Sequence, residues 1–599
     1  MRLYAYSHYF FKHLNFSIHD DQYGRDRRMA HLSNLIYVLT IAVGLFYRVC
    51  SDDSVLDAAN LTYQITSMVD EELAACNQTS GGFGVAVIAK NRVGSSRLTR
   101  NLIYAKGFNY KDLENNIRAD ENTLFCIGSV TKHVTATLLV HVLDLLKEKG
   151  YRYSLQTLVT DLDPSLNFTG SQLMGITVED ILSHRTGLPE VFGQFSVGYP
   201  KNTTRKHLAW VAANLPRSAA NRQKWQYNNH VYASAGYFTE ILAEKLLKRF
   251  VSWENLTRLY LLDPLEINDD VDFSGYHSKF VSRTSKPYHF TTDGQYKELD
   301  PETFTLIEPG GPAGSICLTP KAMIVWMQFL LDRGRYKSKQ IVSRASIENT
   351  WKTRIPLFDK RADATEPRVQ NLGNKTFTLL DYSQEIMYNP GYALGWMETR
   401  HRGYRHMEHS GAVTSYSTLL TMYPDANVSI ITVFAAMTPS SETIMRLLHF
   451  KIFDLVMELA PVDASNATCG NAPSTSGRDD ATDTSEGQKT SIDPKYYVGT
   501  FRNPVHGSLT ISRNGASGLF MLMGRYGNAT IVCLKSGAEC ELHMNGILWY
   551  VYDSGPDETE NTGSPSSIPV SFNFTRTGYV SHVTMPMYSM NFPPVFTKA

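Results

Sequence analysis

Apolar residues along the chain are grouped in ways that predict a small set of elements. An apolar run, Leu35 to Tyr47 (LIYVLTIAVGLFY), follows Arg25, Arg27 and Arg28 near the start. Residues 82–107 (GFGVAVIAKNRVGSSRLTRNLIYAKG) read as two strands joined by a turn. At 125–146, FCIGSVTKHVTATLLVHVLDLL begins strand-like, breaks at Gly128, and continues as a long apolar helix for which Gly150 is the stop. A mixed, loop-rich middle follows. VSIITVFAA at 428–436 then reads as a buried strand, and Ser440 or Ser441 caps an amphipathic helix through Ala460. Strands at both ends with helices between predict an α/β sandwich closed by its own termini. Residues 462–493 are small and polar and read as a linker. From Tyr496 short strands alternate with turns, predicting a small all-β domain. The expected organisation is therefore a targeting segment at 1–51, a main domain at 52–461, the linker at 462–493 and a β-domain at 494–599.

Composition narrows the class of protein. Lys plus Arg and Asp plus Glu number 58 each in 599 residues, and no basic stripe with interleaved aromatics occurs, so nucleic acid is not an expected partner. The run at 35–47 falls short of the roughly 20 residues of a comfortable membrane span and suits a signal-peptide core. Val49 and Ser51 offer small residues at a cleavage spacing, and Met29 is a possible initiator. The competing reading is a signal anchor with a cytoplasmic positive flank, a single-pass type II arrangement. Both deliver the bulk of the chain to the lumen or the cell exterior. Ten Asn-x-Ser/Thr sequons, from Asn60 to Asn573, follow the apolar run and predict N-linked glycans. Of seven cysteines, cleavage after Ser51 would remove Cys50 and leave six, as suits an oxidising compartment. Cys533 and Cys540 flank LKSGAE and are the expected local bridge; no cysteine spacing resembles a zinc site.

Candidate chemistry begins at the Gly128 break. Ser129 and Lys132 are three residues apart at a helix start, so the amine reaches the hydroxyl, while unpaired first-turn N–H groups favour negative charge. A desolvated amine can take the serine proton and backbone donors can hold an oxyanion. A serine cap beside a solvated lysine would give the same spacing. In QKWQYNNHVYASAGY, Tyr227 lies two residues before Asn229 where another helix opens; a phenol beside an ammonium can act as base, and the amide can orient substrate or lysine. A capping Asn beside a core Tyr is the plain alternative. In MEHSGAVTSYSTLL, His409, Ser410 and Gly411 start a strand pair. Glycine on an edge strand lets a substrate backbone approach, and the Ala412 N–H can complete an oxyanion hole. His401, His406, Glu408 and His409 raise a metal site as the alternative. That region reads as turn and strand without fixed ligand spacing, so neither metal nor cofactor is expected.

Taken together and in order, Ser-x-x-Lys, Tyr-x-Asn and His-x-Gly resemble the class C β-lactamase-related family of serine hydrolases, which includes D-stereospecific peptidases, esterases and animal β-lactamase-like proteins. The stretches ITVEDILSHRTGLPE, PGGPAGSICLTPKAMIVWMQFLL and GYALGWM are similar to that family as well, and the resemblance covers about residues 62–460. The tail from Tyr496 resembles the lipocalin-like β-domain that follows many of these hydrolases. The resemblance implies an antiparallel sheet flanked by helices with a mainly helical subdomain, then a barrel-like domain. It also implies Ser129 as nucleophile, proton transfer shared by Lys132 and Tyr227, and substrate contacts from Asn229, His409, Gly411 and Ala412. His409 stands where the lactamases carry the lysine of Lys-Thr-Gly, which counts against efficient β-lactam hydrolysis. A protonated His409 would attract a substrate carboxylate, whereas a ring held in one tautomer would not. Ser415 replaces a glycine common in the family, and its side chain would narrow the cleft or shift the strand. Glu190, Phe192 and the Trp225 region either line the cleft or are structural. The expected function is hydrolysis of an amide, peptide or ester of small-molecule or peptide substrates. The alternative is a non-catalytic glycoprotein that keeps the fold for binding, and three intact motifs favour the enzyme.

Overall fold

The computed structural model describes residues 53–90, 102–189, 197–273, 281–291, 295–357, 369–372, 375–378, 391–438, 440–460, 493–515, 518–533, 537–548, 568–586 and 593–599. The targeting segment, the linker up to residue 492, and Glu190 and Phe192 lie outside the described residues.

Eight antiparallel strands form the central sheet. They are β1 (Phe83–Ala89), β2 (Leu102–Phe108), β3 (Ile355–Pro356), β4 (Gly391–Tyr392), β5 (Met397–His401), β6 (Tyr404–Val413), β7 (Tyr416–Tyr423) and β8 (Val428–Phe434). Their spatial order is β3-β4-β5-β6-β7-β8-β1-β2, so the strands nearest the two ends of the segment lie side by side. Every residue of β1 and β8 is buried, because both faces of the sheet are covered; this is why they read as unbroken apolar runs.

The period-2 alternation of these strands separates two cores. Val85, Val87, Ile430 and Phe434 face a layer made by α1 (Asp53–Ala75) and the late helix Ser441–Met457. Ala86, Ile88, Ile431 and Val433 face the other way, toward α2 (Thr131–Glu148) and the helical middle: α3 (Val178–Leu182), α4 (Arg205–Asn214), α5 (Asn229–Leu247) and α6 (Pro320–Leu331). The late helix, α7, starts beside Ser440, whose side chain makes no capping bond; Ser441 Oγ instead accepts from the Thr438 N–H. Among the described residues no helix is long and apolar enough to cross a membrane.

The C-terminal part is a closed eight-stranded barrel, β9 (Gly499–Asn503), β10 (Gly507–Asn514), β11 (Gly518–Met523), β12 (Gly527–Cys533), β13 (Glu539–Met544), β14 (Ile568–Phe574), β15 (Val580–Thr584) and β16 (Val595–Lys598). Strand β16 pairs back onto β9, which leaves no open edge. Leu509, Ile511, Met521, Phe572 and Phe596 are buried in its core. The Cys533–Cys540 bridge expected from the sequence joins β12 and β13. A second disulfide, Cys126–Cys317, was not singled out by spacing, because 191 residues separate its halves; Cys76 is disulfide-bonded as well.

The β11–β12 turn lies against the main domain. The Arg525 and Tyr526 N–H groups donate to Gly198 and Val197 carbonyls at 3.0 and 2.8 Å, and the Tyr526 hydroxyl lies 2.7 Å from Thr305 Oγ1. Val197 and Leu306 are buried within the barrel's apolar cluster.

Candidate active site

The chain enters the site through a two-residue strand, Phe125–Cys126, pinned to Cys317–Leu318 by pairing and by the disulfide. Gly128 then turns at φ +50°, a left-handed conformation that glycine adopts without cost. A single 3-10 turn, Gly128–Val130, carries Ser129 and leads directly into α2.

One turn later Lys132 is fully buried, and its three donors are all engaged. Nζ donates to Ser129 Oγ at 2.9 Å, Asn229 Oδ1 at 2.8 Å and the Ala313 carbonyl at 2.8 Å. The Tyr227 hydroxyl lies 2.7 Å from the same Ser129 Oγ, and the ammonium sits 4.7 Å from the Tyr227 ring centroid. Lys132 therefore faces inward, which sets aside the solvated-lysine alternative. Ser129, Tyr227 and Asn229 remain half-buried, so the cluster opens on one side.

Asn228 and Asn229 divide the labour at the start of α5. Asn228 is the cap, its Oδ1 accepting from Val231 N–H at 2.9 Å, which leaves Asn229 free to reach Lys132. The loop before them is fastened to the stretch around α3. Arg222 donates to the buried Asp180 carboxylate at 2.8 and 2.6 Å, and backbone bonds run from Arg222 to Arg185 and from Gln226 to His184. Two arginine partners, Arg222 and Arg185, hold the Asp180 carboxyl below its ordinary range despite burial.

Strand β6 forms the opposite wall. It begins at Tyr404, so His409-Ser410-Gly411 lies within the strand rather than at its start. Among the described residues, pairing with β5 ends at Glu408, so β6 is internal up to that residue and presents an edge with no paired strand from His409 onward on that side. That edge meets the Ser129 turn so closely that a Cβ on Gly411 would fall 2.1 Å from the Ile127 carbonyl and 3.0 Å from the Ser129 nitrogen. A Cβ on Gly128 would likewise fall 2.7 Å from the Ala412 nitrogen. The backbone N–H groups of Ser129 and Ala412 thus belong to two segments in direct contact at the mouth of the cluster.

His409 is buried, with Nδ1 2.6 Å from the Ser410 carbonyl and Nε2 2.9 Å from the Tyr392 hydroxyl. Nδ1 therefore carries the proton and Nε2 accepts from the tyrosine. Burial and the Lys132 ammonium push the imidazole down to about 4, so the ring is neutral at physiological pH. This geometry supports the fixed tautomer and removes the basis for a protonated, carboxylate-attracting His409. Ser415 Oγ bonds the Tyr288 carbonyl, so its side chain is turned into the protein and not across the cleft. Trp225 packs on Tyr227 and Tyr392 with ring centroids at 6.0 and 5.8 Å. The buried Glu408 carboxylate pairs with the half-buried Arg446 and is hydrogen-bonded to His406, and His401 stacks on Phe450, so these side chains serve packing and pairing. Ala313, Tyr392 and His184 lie in stretches that carry the family resemblance but were not singled out as site residues, because each reaches the site from a distant loop or strand and no local spacing assigns it a role.

The Beta-lactamase family model matches residues 97–451, more than half of the chain, and the chain belongs to that family. It is 25% identical over 341 residues to the unguisins hydrolase ungD of Aspergillus violaceofuscus (strain CBS 115571), a match covering 55% of each chain. It is 24% identical over 226 residues to the teichoic acid D-alanine hydrolase of Staphylococcus aureus (strain MRSA252), covering 37% of this chain and 49% of that one. The match thus spans about half the length of these curated relatives. The octameric penicillin-binding protein homologue from Pyrococcus abyssi superposes with a TM-score of 0.50 at 16% identity, covering 89% of this chain and 99% of that one; the shared property is the fold.

Proposed function

We propose that this chain is a serine hydrolase that cleaves an amide, peptide or ester bond through an acyl-enzyme on Ser129. The convergence of Lys132 Nζ and Tyr227 OH on a single Ser129 oxygen carries the reading. Ser129 Oγ attacks the carbonyl carbon as its proton passes to whichever member of the Lys132–Tyr227 pair is deprotonated. The negative oxygen that forms is received by the Ser129 and Ala412 N–H groups. The pair returns the proton to the leaving nitrogen or oxygen, the scissile bond breaks, and an ester to Oγ remains. Water attacks that ester with the same pair as base, and the acid product departs as Ser129 regains its proton. Asn229 orients Lys132 and offers its amide N–H to substrate. Gly411 lets the Ser129 turn pack directly on β6, substrate lies along the edge backbone of that strand, and neutral His409 completes the wall. Both curated relatives are named hydrolases, which supports the reaction class.

A secretory location fits the oxidised cysteines. It also fits the sequons, since Asn60, Asn77, Asn167, Asn202, Asn255 and Asn573 are exposed and Asn427 and Asn528 are half-buried. The test is covalent labelling by a fluorophosphonate. Wild type should label, Ser129→Ala should not, and Tyr227→Phe should slow labelling by about a hundredfold or more. Labelling that survives in Ser129→Ala would sink the mechanism.

A further inference from the structure

We infer that His184, whose Nδ1 bonds the Asn228 N–H and not the serine, is a positioning residue for this reaction: that nitrogen fixes the turn that delivers Tyr227 and Asn229 to Ser129 and Lys132. The inference rests on the serine-hydrolase reading of the site.

His184 follows α3 in a left-handed conformation, φ +54°, and is 1% exposed. The strain of that conformation for a non-glycine residue is offset by three ties to the reactive turn. Its carbonyl accepts from the Gln226 N–H at 2.8 Å, and its Nδ1 accepts from the Asn228 N–H at 3.1 Å. These bonds bracket Tyr227 on both sides in sequence. The imidazole also lies against the Tyr227 ring, with centroids 4.4 Å apart. The tyrosine is thus held before, behind and across its face.

The same ring reaches the other wall. It contacts Tyr232 and Tyr392, each with centroids at 5.1 Å; Tyr232 OH donates to the Lys132 carbonyl and Tyr392 OH to His409 Nε2. One imidazole therefore underlies the tyrosine, the lysine's backbone and the histidine of β6. Because Nδ1 accepts from a backbone N–H, the proton of the neutral ring sits on Nε2. Nε2 is buried with no hydrogen-bond partner among the described residues. Burial and the Lys132 ammonium both disfavour a charged ring, which keeps the Nδ1 lone pair available. Leaving a buried donor unpaired at this cost is hard to account for by packing alone, since a leucine or phenylalanine would fill the aromatic cluster without it.

Two substitutions separate positioning from filling. In His184→Asn the amide oxygen can replace Nδ1 as acceptor, and Asn tolerates a left-handed φ. His184→Phe keeps a flat ring but cannot accept. The measurement is fluorophosphonate acylation resolved into a maximal rate and a half-saturating concentration, with the melting temperature of each variant. His184→Phe should lose about ten- to a hundredfold in maximal rate with little change in half-saturation, the range expected when a buried donor loses its acceptor. His184→Asn should recover most of that rate. A folded His184→Phe that acylates like wild type overturns the inference, as do equal losses in both variants. If His184→Phe does not fold, His184→Asn decides alone: retention of rate supports the acceptor role and a large loss refutes it. Should wild-type labelling prove independent of Ser129, the reading of the site itself falls, an outcome distinct from these.

Discussion

At the residue scale, the site depends on which groups are deprived of water. Lys132 is buried yet fully paired, and His409 is neutral because burial strips a charged ring of water and, secondarily, because the ammonium close by disfavours a second positive charge. A consequence can be measured. With its pKa depressed to about 4, His409 carries no charge across the physiological range. The ratio of kcat/KM for a carboxylate-bearing substrate to that for its neutral amide analogue should therefore stay flat between about pH 5.5 and 8. A ratio that drops through pH 6–7 would restore a charged role for the ring. Ser129, Lys132, Tyr227 and Asn229 were legible in the sequence because short spacings at helix starts fix their geometry. The roles of Ala313, Tyr392 and His184 were not, although the stretches that hold them carry the family resemblance, since contacts made over long sequence separations have no fixed local spacing.

At the element scale, the strand-turn-helix carrying Ser129 is held from outside rather than by its own propensity. Phe125–Cys126 is only two residues long, too little to be stable alone, and Cys317 clamps it through both backbone and sulfur. The clamp also fixes the loop whose Ala313 carbonyl receives Lys132, because Ile127 N–H donates to Ile316 O at 3.0 Å and Ile316 N–H donates to Thr131 Oγ1 at 3.1 Å. Replacing both Cys126 and Cys317 by serine should lower stability by about 2–5 kcal/mol and slow Ser129 acylation in the folded remainder. Normal acylation in a destabilised double variant would confine the bridge to a stability role. The long elements could be read from their apolar pattern: β1 and β8 as unbroken runs because both faces are buried, and α2 and α7 as long helices because of the apolar surface they bury. The edge character of β6 could be anticipated only in part, because it depends on where β5 stops.

At the scale of the whole molecule, two apolar cores on either side of one sheet make the hydrolase-like body, and the barrel adds a third. The three are not equally separate. The barrel's core takes in Val197 and Leu306 from the main domain, and its β11–β12 turn bonds the backbone on both sides of Gly198, where an added Cβ would meet the Tyr526 ring at 2.8 Å. The contact lies near the reactive cluster. Tyr199 bonds His230, the residue after Asn229, and Ile307, following Leu306, packs at Gly314 beside the Gly128 turn. We propose that the barrel is a covalently tethered but independently docked unit. Cleaving the chain within residues 470–492 tests this, because both described disulfides then remain within their own fragments. The two fragments should co-elute in gel filtration at micromolar concentration and retain Ser129 labelling. Tyr526→Ala, which removes the bond to Thr305 and the packing on Gly198, should let them part. Wild-type fragments that separate at once would show that the tether, not the docked surface, holds the barrel beside the site.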